Sequence, residues 1–397
     1  MKKIKEIKFV LLALLIAALF TNVHAKGSND SQWIWQQEDG QPNTWVAFRK
    51  TLTLDEVPQE ALAKISVDTK YWLWINGEMV LFEGGLYRGA GPNTIYYDEV
   101  DFAPHLKSGE NTIAILVWYV GRTCKAHVSS GQGGLYVSAD RLPELNSDAS
   151  WKMKSHAAYD PQSGGGGRGP NTLAAYNVKF DARKSMGDWS DKAWYTSQYD
   201  DSEWETPVEK GMVNSLPWGD FVKRPIPQWN NRGLVNYESL TLNGASVQLP
   251  YTNKSDSTVV IKAKLPFNQQ ITPYVRVNSK GGKTIKIDVD NRHNKIKASY
   301  ITQNGPQQFE SFAWMNGHNV TYKIPPGVEV NELKYRWTGI GDMPGTFECS
   351  DGFYSHLWWL ARNTLYICAR ENYMDCPDRE RGLWIGDVAD QAGAIFY

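Results

Sequence analysis

Most of the chain alternates short apolar runs with turn-forming residues, a pattern typical of β-strands. Residues 45–52 form one such run, and residues 71–75 form another that is followed at once by Asn76-Gly77, a dipeptide that favours a tight hairpin turn. Residues 112–118 are rich in β-branched and aromatic side chains, so we expect a strand buried on both faces. These segments predict a first β-sandwich over residues 30–225.

A second β-rich segment follows between residues 240 and 347. Its evidence is the apolar run at 259–261, the alternation at 284–289 and the run at 320–324, which ends before Pro325-Pro326-Gly327. Prolines punctuate residues 216–227, which we interpret as a linker. The pattern therefore predicts a second sandwich over residues 226–348, and a fold that is mainly β with two jelly-roll-like sandwiches.

The period changes just past Ser350. Apolar side chains recur at three- and four-residue steps from residue 353 to residue 368, which predicts an amphipathic helix over 351–371 with Ser350 or Asp351 as its N-cap. Pro377 argues against a continued helix, so residues 375–385 are expected on a loop. A second helix is expected from residue 388 to residue 397, with Asp387 near its start and no stop signal before the last residue.

The amino terminus has the pattern of a secretory signal peptide. Four lysines precede an apolar run at residues 9–20, and a small-residue site follows at Val23-His24-Ala25. We expect residues 1–25 to be removed and the mature protein to be exported without a membrane span, an uncleaved membrane anchor being the alternative. About 370 residues then remain, enough for two or three domains.

Composition narrows the range of partners. The 42 Lys and Arg balance 43 Asp and Glu along the chain, and this near-neutral charge argues against nucleic acid. Aromatic residues make up 13% of the chain, with 17 Trp and 20 Tyr. Flat aromatic faces suit sugar rings, but sandwich cores also use them, and we expect Trp33, Trp72 and Trp118 to pack in a core.

The four cysteines, at positions 124, 349, 368 and 376, allow three full disulfide pairings in an oxidising compartment. None has C-x-x-C spacing, and the seven histidines form no metal-binding pattern, so no catalytic metal or cofactor is expected. Structural calcium is left open, although the sequence does not indicate it. A formal G-x-G-x-x-G at 164–169 is followed by Pro170 and polar residues, which favours a flexible loop over a dinucleotide site. Oligomeric state is left open.

Candidate chemistry is concentrated in residues 375–387. This stretch contains four carboxylates, two arginines and a tryptophan, a density that indicates an active site. The alternative is a solvated, salt-bridged turn between helices, which we favour for Asp378 alone. Trp384, Arg379 and Arg381 are candidate substrate-binding residues; Trp384 could instead pack in a core, and the arginines could instead clamp the loop.

The order of these parts resembles bacterial α-L-rhamnosidases of glycoside hydrolase family 78. The resemblance rests on Asp375-Cys376-Pro377-x-Arg379-Glu380-Arg381 and Trp384-x-Gly386-Asp387, whose acids keep the family's spacing of five and then seven residues. Residues 72–77 and 199–204 give weaker support. It implies that residues 349–397 begin a catalytic (α/α)6 barrel, of which this chain holds about the first hairpin.

The resemblance also implies roles. Glu380 is the proton donor of an inverting exo-glycosidase that releases a terminal rhamnosyl or similar sugar from its carbohydrate substrate, and Asp375 and Asp387 hold sugar hydroxyls. The general base is a later glutamate beyond residue 397, about 6.5–9.5 Å from the donor. Neighbouring carboxylates favour the protonated donor, and inward-pointing arginines oppose this.

Two alternatives stay open. The order Gly382-Leu383 departs from the family's usual Leu-Gly at these positions, which leaves the sugar specificity of a six-hairpin glycosidase open. The chain as given could also be a carbohydrate-binding fragment without activity. We expect the isolated chain of 397 residues to be inactive.

Overall fold

The computed structural model describes residues 31–87, 89–124, 127–165, 176–187, 192–291, 296–341 and 343–394. The predicted signal peptide lies outside the described residues, as do residues 166–170 of the glycine-rich segment.

In the described part of the chain, twelve strands precede residue 225. They are β1 (Gln32–Trp35), β2 (Thr44–Leu54), β3 (Leu62–Asp68), β4 (Lys70–Ile75), β5 (Glu78–Gly84), β6 (Thr94–Asp101), β7 (Gly109–Tyr119), β8 (Gly134–Ala139), β9 (Lys152–Ser155), β10 (Val178–Asp181), β11 (Val208–Met212) and β12 (Asp220–Lys223). Short 3₁₀ turns lie at Ala103–His105, Pro143–Leu145 and Ala182–Lys184.

Ten strands and two α-helices follow. They are β13 (Leu234–Asn236), β14 (Ser239–Leu242), β15 (Ala245–Ser246), β16 (Tyr251–Thr252), β17 (Val259–Ser279), β18 (Thr284–Val289), β19 (Ala298–Ile301), β20 (Gly305–Glu310), β21 (Met315–Ile324), β22 (Glu329–Trp337), α1 (Gly352–Ile367) and α2 (Ile385–Ala394). The predicted mainly β fold with a helical start at its end is confirmed.

The strands form three sheets of six, five and eleven strands. The five-stranded sheet, in the order β5-β4-β7-β2-β9, lies between the other two, because alternate side chains of its strands enter different cores. Val46 of β2 belongs to the core of the six-stranded sheet with Val137, whereas Trp45 belongs to a core with Ile287 of the eleven-stranded sheet. The prediction of a strand at 112–118 buried on both faces is therefore confirmed by β7.

Two local predictions for the sandwiches are confirmed, namely the hairpin turn at Asn76-Gly77 and the burial of three tryptophans. Asn76 and Gly77 adopt positive φ angles of 52° and 87° in the turn between β4 and β5, where a glycine or asparagine is favoured. Trp33, Trp72 and Trp118 are all buried in the sandwich cores, as expected.

The predicted linker at 216–227 is wrong. Residues 220–223 form β12, which pairs in parallel with β6, and Trp218 stacks on Trp33 with ring centroids 4.3 Å apart. The prolines are compatible with this because Pro217, Pro225 and Pro227 all lie outside β12, so none of them removes an N–H from the strand. Sheet pairing also crosses the proposed boundary at residue 225, since β10 pairs in parallel with β19 of the eleven-stranded sheet.

Strand β17 shapes the surface on which the helical segment rests. It is 21 residues long, and its pairing with β21 shifts register between Lys264 and Gln269. A bulge of this kind bends a strand and redirects its side chains. Just past the bulge, the fully buried Gln270 points toward the end of α1.

Candidate active site

Helix α1 begins where its N-cap was predicted but ends earlier than expected. The carboxylate of Asp351 accepts a hydrogen bond of 2.9 Å from the amide of Phe353, which satisfies a free N–H of the first turn. The helix stops at Ile367, four residues before the predicted end. Gln270 caps this end of the helix, because its side-chain nitrogen donates to the carbonyls of Ile367 and Ala369, at 3.1 Å each.

The apolar face predicted for this helix is real but is not buried by the described residues. Phe353 is 65% exposed, and Leu357 and Leu360 are exposed as well. The last turn packs on the sheets through the buried Tyr366, Ile367 and Cys368, and one turn earlier Trp359 meets Phe267 of β17 edge-on, with ring centroids 5.7 Å apart.

A closed loop connects the two helices. The amide of Asp375 donates to the carbonyl of Gly382, and the amide of Gly382 donates back to Oδ1 of Asp375, each over 2.9 Å. These two bonds fasten the base of the segment between them, so residues 376–381 form its tip. The prediction of a loop is confirmed, and helix α2 follows it at Ile385, three residues earlier than predicted.

The tip of the loop and the start of α2 enclose an open groove of about 470 Å³. Its walls bring together the three predicted catalytic acids, two of the predicted substrate-binding residues and a cysteine: Asp375, Glu380, Asp387, Arg379, Trp384 and Cys376. Asp387 lies in the first turn of α2, where the helix dipole favours a carboxylate.

Contacts inside the groove orient Glu380. The indole Nε1 of Trp384 donates to Oε2 of Glu380 over 3.1 Å. Arg379 lies inward, with Nη2 3.3 Å from Oε1 of Glu380 and 3.8 Å from Oδ2 of Asp375. Arg379 is 59% exposed, so solvent screens this contact and its side chain is free to rearrange around a ligand.

Arg381, the third predicted substrate-binding residue, does not line the groove with the other two, and its position matches the alternative that it clamps the loop. It points into the β-sheets, where Nε donates to the carbonyl of Pro377 over 2.8 Å and Nη2 donates to the carbonyl of Trp314 over 3.0 Å. Its guanidinium lies 3.2 Å from the centroid of the Trp314 ring. Burial lowers the pKa of Arg381 to about 10, so the side chain stays cationic at neutral pH and clamps the loop.

Sequence reasoning missed a cluster of buried charges beneath the loop. It consists of Lys70, Glu83, Arg370 and Glu371, all with side chains at least nine-tenths buried. Burial acts to raise the pKa of Glu83, but the positive charges of Arg370 and Lys70 outweigh it, and the pKa is lowered. The sequence held a signal for these buried charges, because Lys70 directly precedes the apolar run at 71–75 and Glu83 directly follows Leu81-Phe82.

Other candidate chemistry in the described part of the chain is absent or structural. All four cysteines are described, and no disulfide joins them. Burial raises the pKa of the Cys368 thiol to about 12, and the nearby Cys376 adds to this effect, so the thiol stays protonated and serves in packing.

Asp378 makes no ion pair with another described residue, against our expectation for it. Within the described ranges no three His, Cys, Asp or Glu side chains are arranged to hold a metal, and no helix there is long and apolar enough to cross a membrane.

A β-rich region of three sheets thus leads into a helical segment that carries the acidic groove. Residues 342–397 match the family model described as the bacterial α-L-rhamnosidase 6 hairpin glycosidase domain. An α-L-rhamnosidase of Formosa agariphila is 22% identical over 395 residues, which cover 86% of this chain and 36% of that protein.

Solved structures show the same fold. The GH78 family rhamnosidase of Bacillus sp. GL1 superposes with a TM-score of 0.75 at 16% identity, over 92% of this chain and 61% of that one. The α-L-rhamnosidase from Dictyoglumus thermophilum gives a TM-score of 0.66 at 18% identity, over 93% of this chain and 42% of that one. The chain thus spans about a third of its curated relative, and its resemblance to the amino-terminal portion of family 78 α-L-rhamnosidases is confirmed.

Proposed function

We propose that this chain is the amino-terminal portion of an exported, inverting glycosidase of the α-L-rhamnosidase type, which releases a terminal α-L-rhamnosyl or similar sugar. The observation that carries the proposal is the convergence of Asp375, Glu380 and Asp387 on one open groove. The match of residues 342–397 to the hairpin domain and the activity named for the Formosa agariphila relative support it.

Glu380 donates the proton to the leaving oxygen. Its carboxyl group is mostly buried, Trp384 donates to Oε2, and Oε1 lies beside Arg379. When substrate binds, the protonated carboxyl group donates to the glycosidic oxygen.

Asp375 and Asp387 bind sugar hydroxyls. Oδ1 of Asp375 is held by the amide of Gly382, which fixes the carboxylate and leaves Oδ2 turned toward the groove side chains Arg379 and Cys376. Hydrogen bonds from sugar hydroxyls to such fixed carboxylates strengthen as the ring flattens toward an oxocarbenium-like transition state. The faces of Trp384 offer an apolar contact for the ring.

An inverting reaction also needs a carboxylate base on the opposite face of the sugar, with room for a water molecule. We assign that base to a later part of the hairpin domain. A chain that spans 36% of its curated relative leaves ample length for it in the full gene product.

The test is hydrolysis of an aryl α-L-rhamnoside by the full-length gene product. Replacing the donor with Glu380→Gln lowers the rate by about 10²- to 10⁴-fold, while Glu203→Gln, at an exposed turn that does not line the groove, leaves it unchanged. NMR of the first product anomer reports inversion, and a panel of aryl glycosides reports the sugar. Equal rates for the wild type and Glu380→Gln would remove Glu380 from the donor role.

Export is tested separately. We expect the mature protein, recovered from outside the cytoplasm of the producing cell, to begin near Lys26 when its amino terminus is sequenced. A protein recovered in the cytoplasm with residues 1–25 intact would contradict this part of the proposal.

A further inference from the structure

We propose that the buried pair Lys70 and Glu83, on β4 and β5 of the five-stranded sheet, positions the loop that carries Glu380. This inference rests on the proposed function, because it assigns to these two residues a positioning role for the acid of that site. In this proposal, residues of the five-stranded sheet determine the position of the Glu380 carboxyl group.

The four buried charges join two consecutive residues, Arg370 and Glu371, to the five-stranded sheet, and each of the two has its own partner there. Nη2 of Arg370 donates to Oε2 of Glu83 over 2.8 Å, and Oε1 of Glu83 lies 3.5 Å from Nζ of Lys70. Lys70 also donates to Oε1 of Glu371, whose Oε2 accepts from the amide of Tyr87 over 2.6 Å. Two opposite charges of the loop are thus bound to two opposite charges of the sheet.

The same segment is fixed at both of its ends. At its start, Nη1 of Arg370 donates to Oε1 of Gln270 over 2.7 Å, and Gln270 in turn caps the last carbonyls of α1. At its far end, Arg381 is clamped on Trp314. Asp375 and Glu380 lie between these two anchors, so contacts to the five-stranded and eleven-stranded sheets, together with the bonds between Asp375 and Gly382, set the path of the chain through the groove.

The network breaks local rules of folding in a way that is typical of functional positions. Lys70 is 1% exposed and Glu83 is 3% exposed, although charged side chains are rarely buried so deeply. Glu83 also has a φ angle of 58°, a left-handed conformation that disfavours residues with a side chain. A buried ion pair is weak evidence for stability, but removing one partner strands the other charge, so such a pair holds its groups in one geometry.

A second buried ion pair serves as a matched control. Arg49 and Asp201 lie 2.7 Å apart, with Arg49 buried in the five-stranded sheet and Asp201 mostly buried. Arg49 also donates to carbonyls at residues 194 and 196, and Asp201 also accepts from Lys152 over 2.8 Å, so neither residue contacts the loop. A merely structural role for the Glu83 network predicts that Glu83→Gln and Asp201→Asn behave alike. A positioning role predicts that only Glu83→Gln releases the loop.

Trypsin gives a readout on the 397-residue chain that needs no activity. The bond after Arg379 is exposed in the folded protein, whereas Arg381 is 5% exposed and its bond to Gly382 lies at the fastened base of the loop. We expect Glu83→Gln to accelerate cleavage after Arg381, measured by mass spectrometry, at least about tenfold relative to cleavage after Arg379, because proteolysis follows the population of the opened loop. Asp201→Asn should leave this ratio at the wild-type value.

Glu371→Gln is the second variant. It removes the carboxylate on the loop and leaves the pair between Glu83 and Arg370 in place. The same test can therefore be made if Glu83→Gln does not fold. In the full-length gene product, both variants should lower kcat at least about tenfold with KM within about twofold, and Glu83→Asp should restore part of kcat. An unchanged cleavage ratio in both variants, or the same rise in Asp201→Asn, would overturn the positioning role. Absence of rhamnosidase activity in the wild type would defeat the proposed function while the proteolysis still decides the role of the network.

Discussion

The indole nitrogen of Trp384 donates a hydrogen bond of 3.1 Å to Oε2 of Glu380. The two residues are four apart in the chain, at the tip and the exit of the same loop. The bond ties the orientation of the proposed acid to a side chain whose faces remain open to a sugar.

Replacing this tryptophan separates its two contributions. Trp384→Phe keeps an aromatic face and loses the N–H, so we expect kcat on an aryl α-L-rhamnoside to fall about tenfold with KM nearly unchanged, as for loss of one hydrogen bond to a charged group. Trp384→Ala also loses the face, and KM should then rise. A Trp384→Phe enzyme with the wild-type kcat would show that the hydrogen bond has no part in orienting Glu380.

Arg381 and Arg379 should differ sharply in their effect on stability. Arg381→Gln removes a buried cation that bonds two carbonyls and lies on the Trp314 ring, and we expect a loss of about 2–4 kcal/mol in the free energy of unfolding, measured by urea denaturation. Arg379→Gln, two residues away and exposed, should change it by less than about 0.5 kcal/mol. Equal losses for the two variants would contradict the clamp.

The burial of His156 predicts a pH dependence of stability. Burial lowers the pKa of His156 from 6.5 to about 3, and its Nδ1 has no hydrogen-bond partner among the described residues. The unfolded state therefore binds a proton that the native state rejects, so this contribution is fully present above pH 6.5 and is lost as the pH falls toward 3, at up to about 1.4 kcal/mol per pH unit.

The control is His156→Gln, which cannot titrate. Urea midpoints measured between pH 7 and pH 4 should fall less steeply in this variant than in the wild type, and the slope that remains includes His127, whose pKa burial also lowers. Identical slopes would mean that His156 is not held neutral in the folded protein.

The proposed division of the two-carboxylate mechanism predicts that the isolated 397-residue chain is inactive, because the groove of the described residues supplies the acid and not the base. The aryl α-L-rhamnoside assay of this chain beside the full-length gene product checks it. The prediction would be contradicted if the chain alone hydrolysed the substrate and Glu380→Gln abolished that activity.

Local pattern predicted the parts of this protein in which neighbouring residues decide the conformation. The hairpin at Asn76-Gly77, the twice-buried strand β7 and the Asp351 cap follow from short-range sterics and hydrogen bonding, so they are visible in the sequence. The pattern failed at Trp218, because a stacking partner 185 residues away, Trp33, turns the proline-rich segment into an edge of a sheet.

The acidic motif at 375–387 was likewise visible, since its acids are close in sequence, but the direction of each side chain was not. Arg379 and Arg381 are two residues apart and have the same chemistry, yet the positive φ of 52° at Arg381 turns its side chain into the sheets while Arg379 faces the groove. Backbone direction in a loop depends on what the loop packs against.

The sequence by itself determined the β-rich fold class, the helical start and the cluster of acids, because each depends on periodicity or on spacing within a few residues. Only the tertiary structure decided which charges face substrate and which are buried as anchors. Lys70 and Glu83 lie about 290 to 300 positions before Arg370 and Glu371, so no local rule pairs the first two residues with the last two. The packing of the sheets brings the four charges together. They must pair there because they are buried from water.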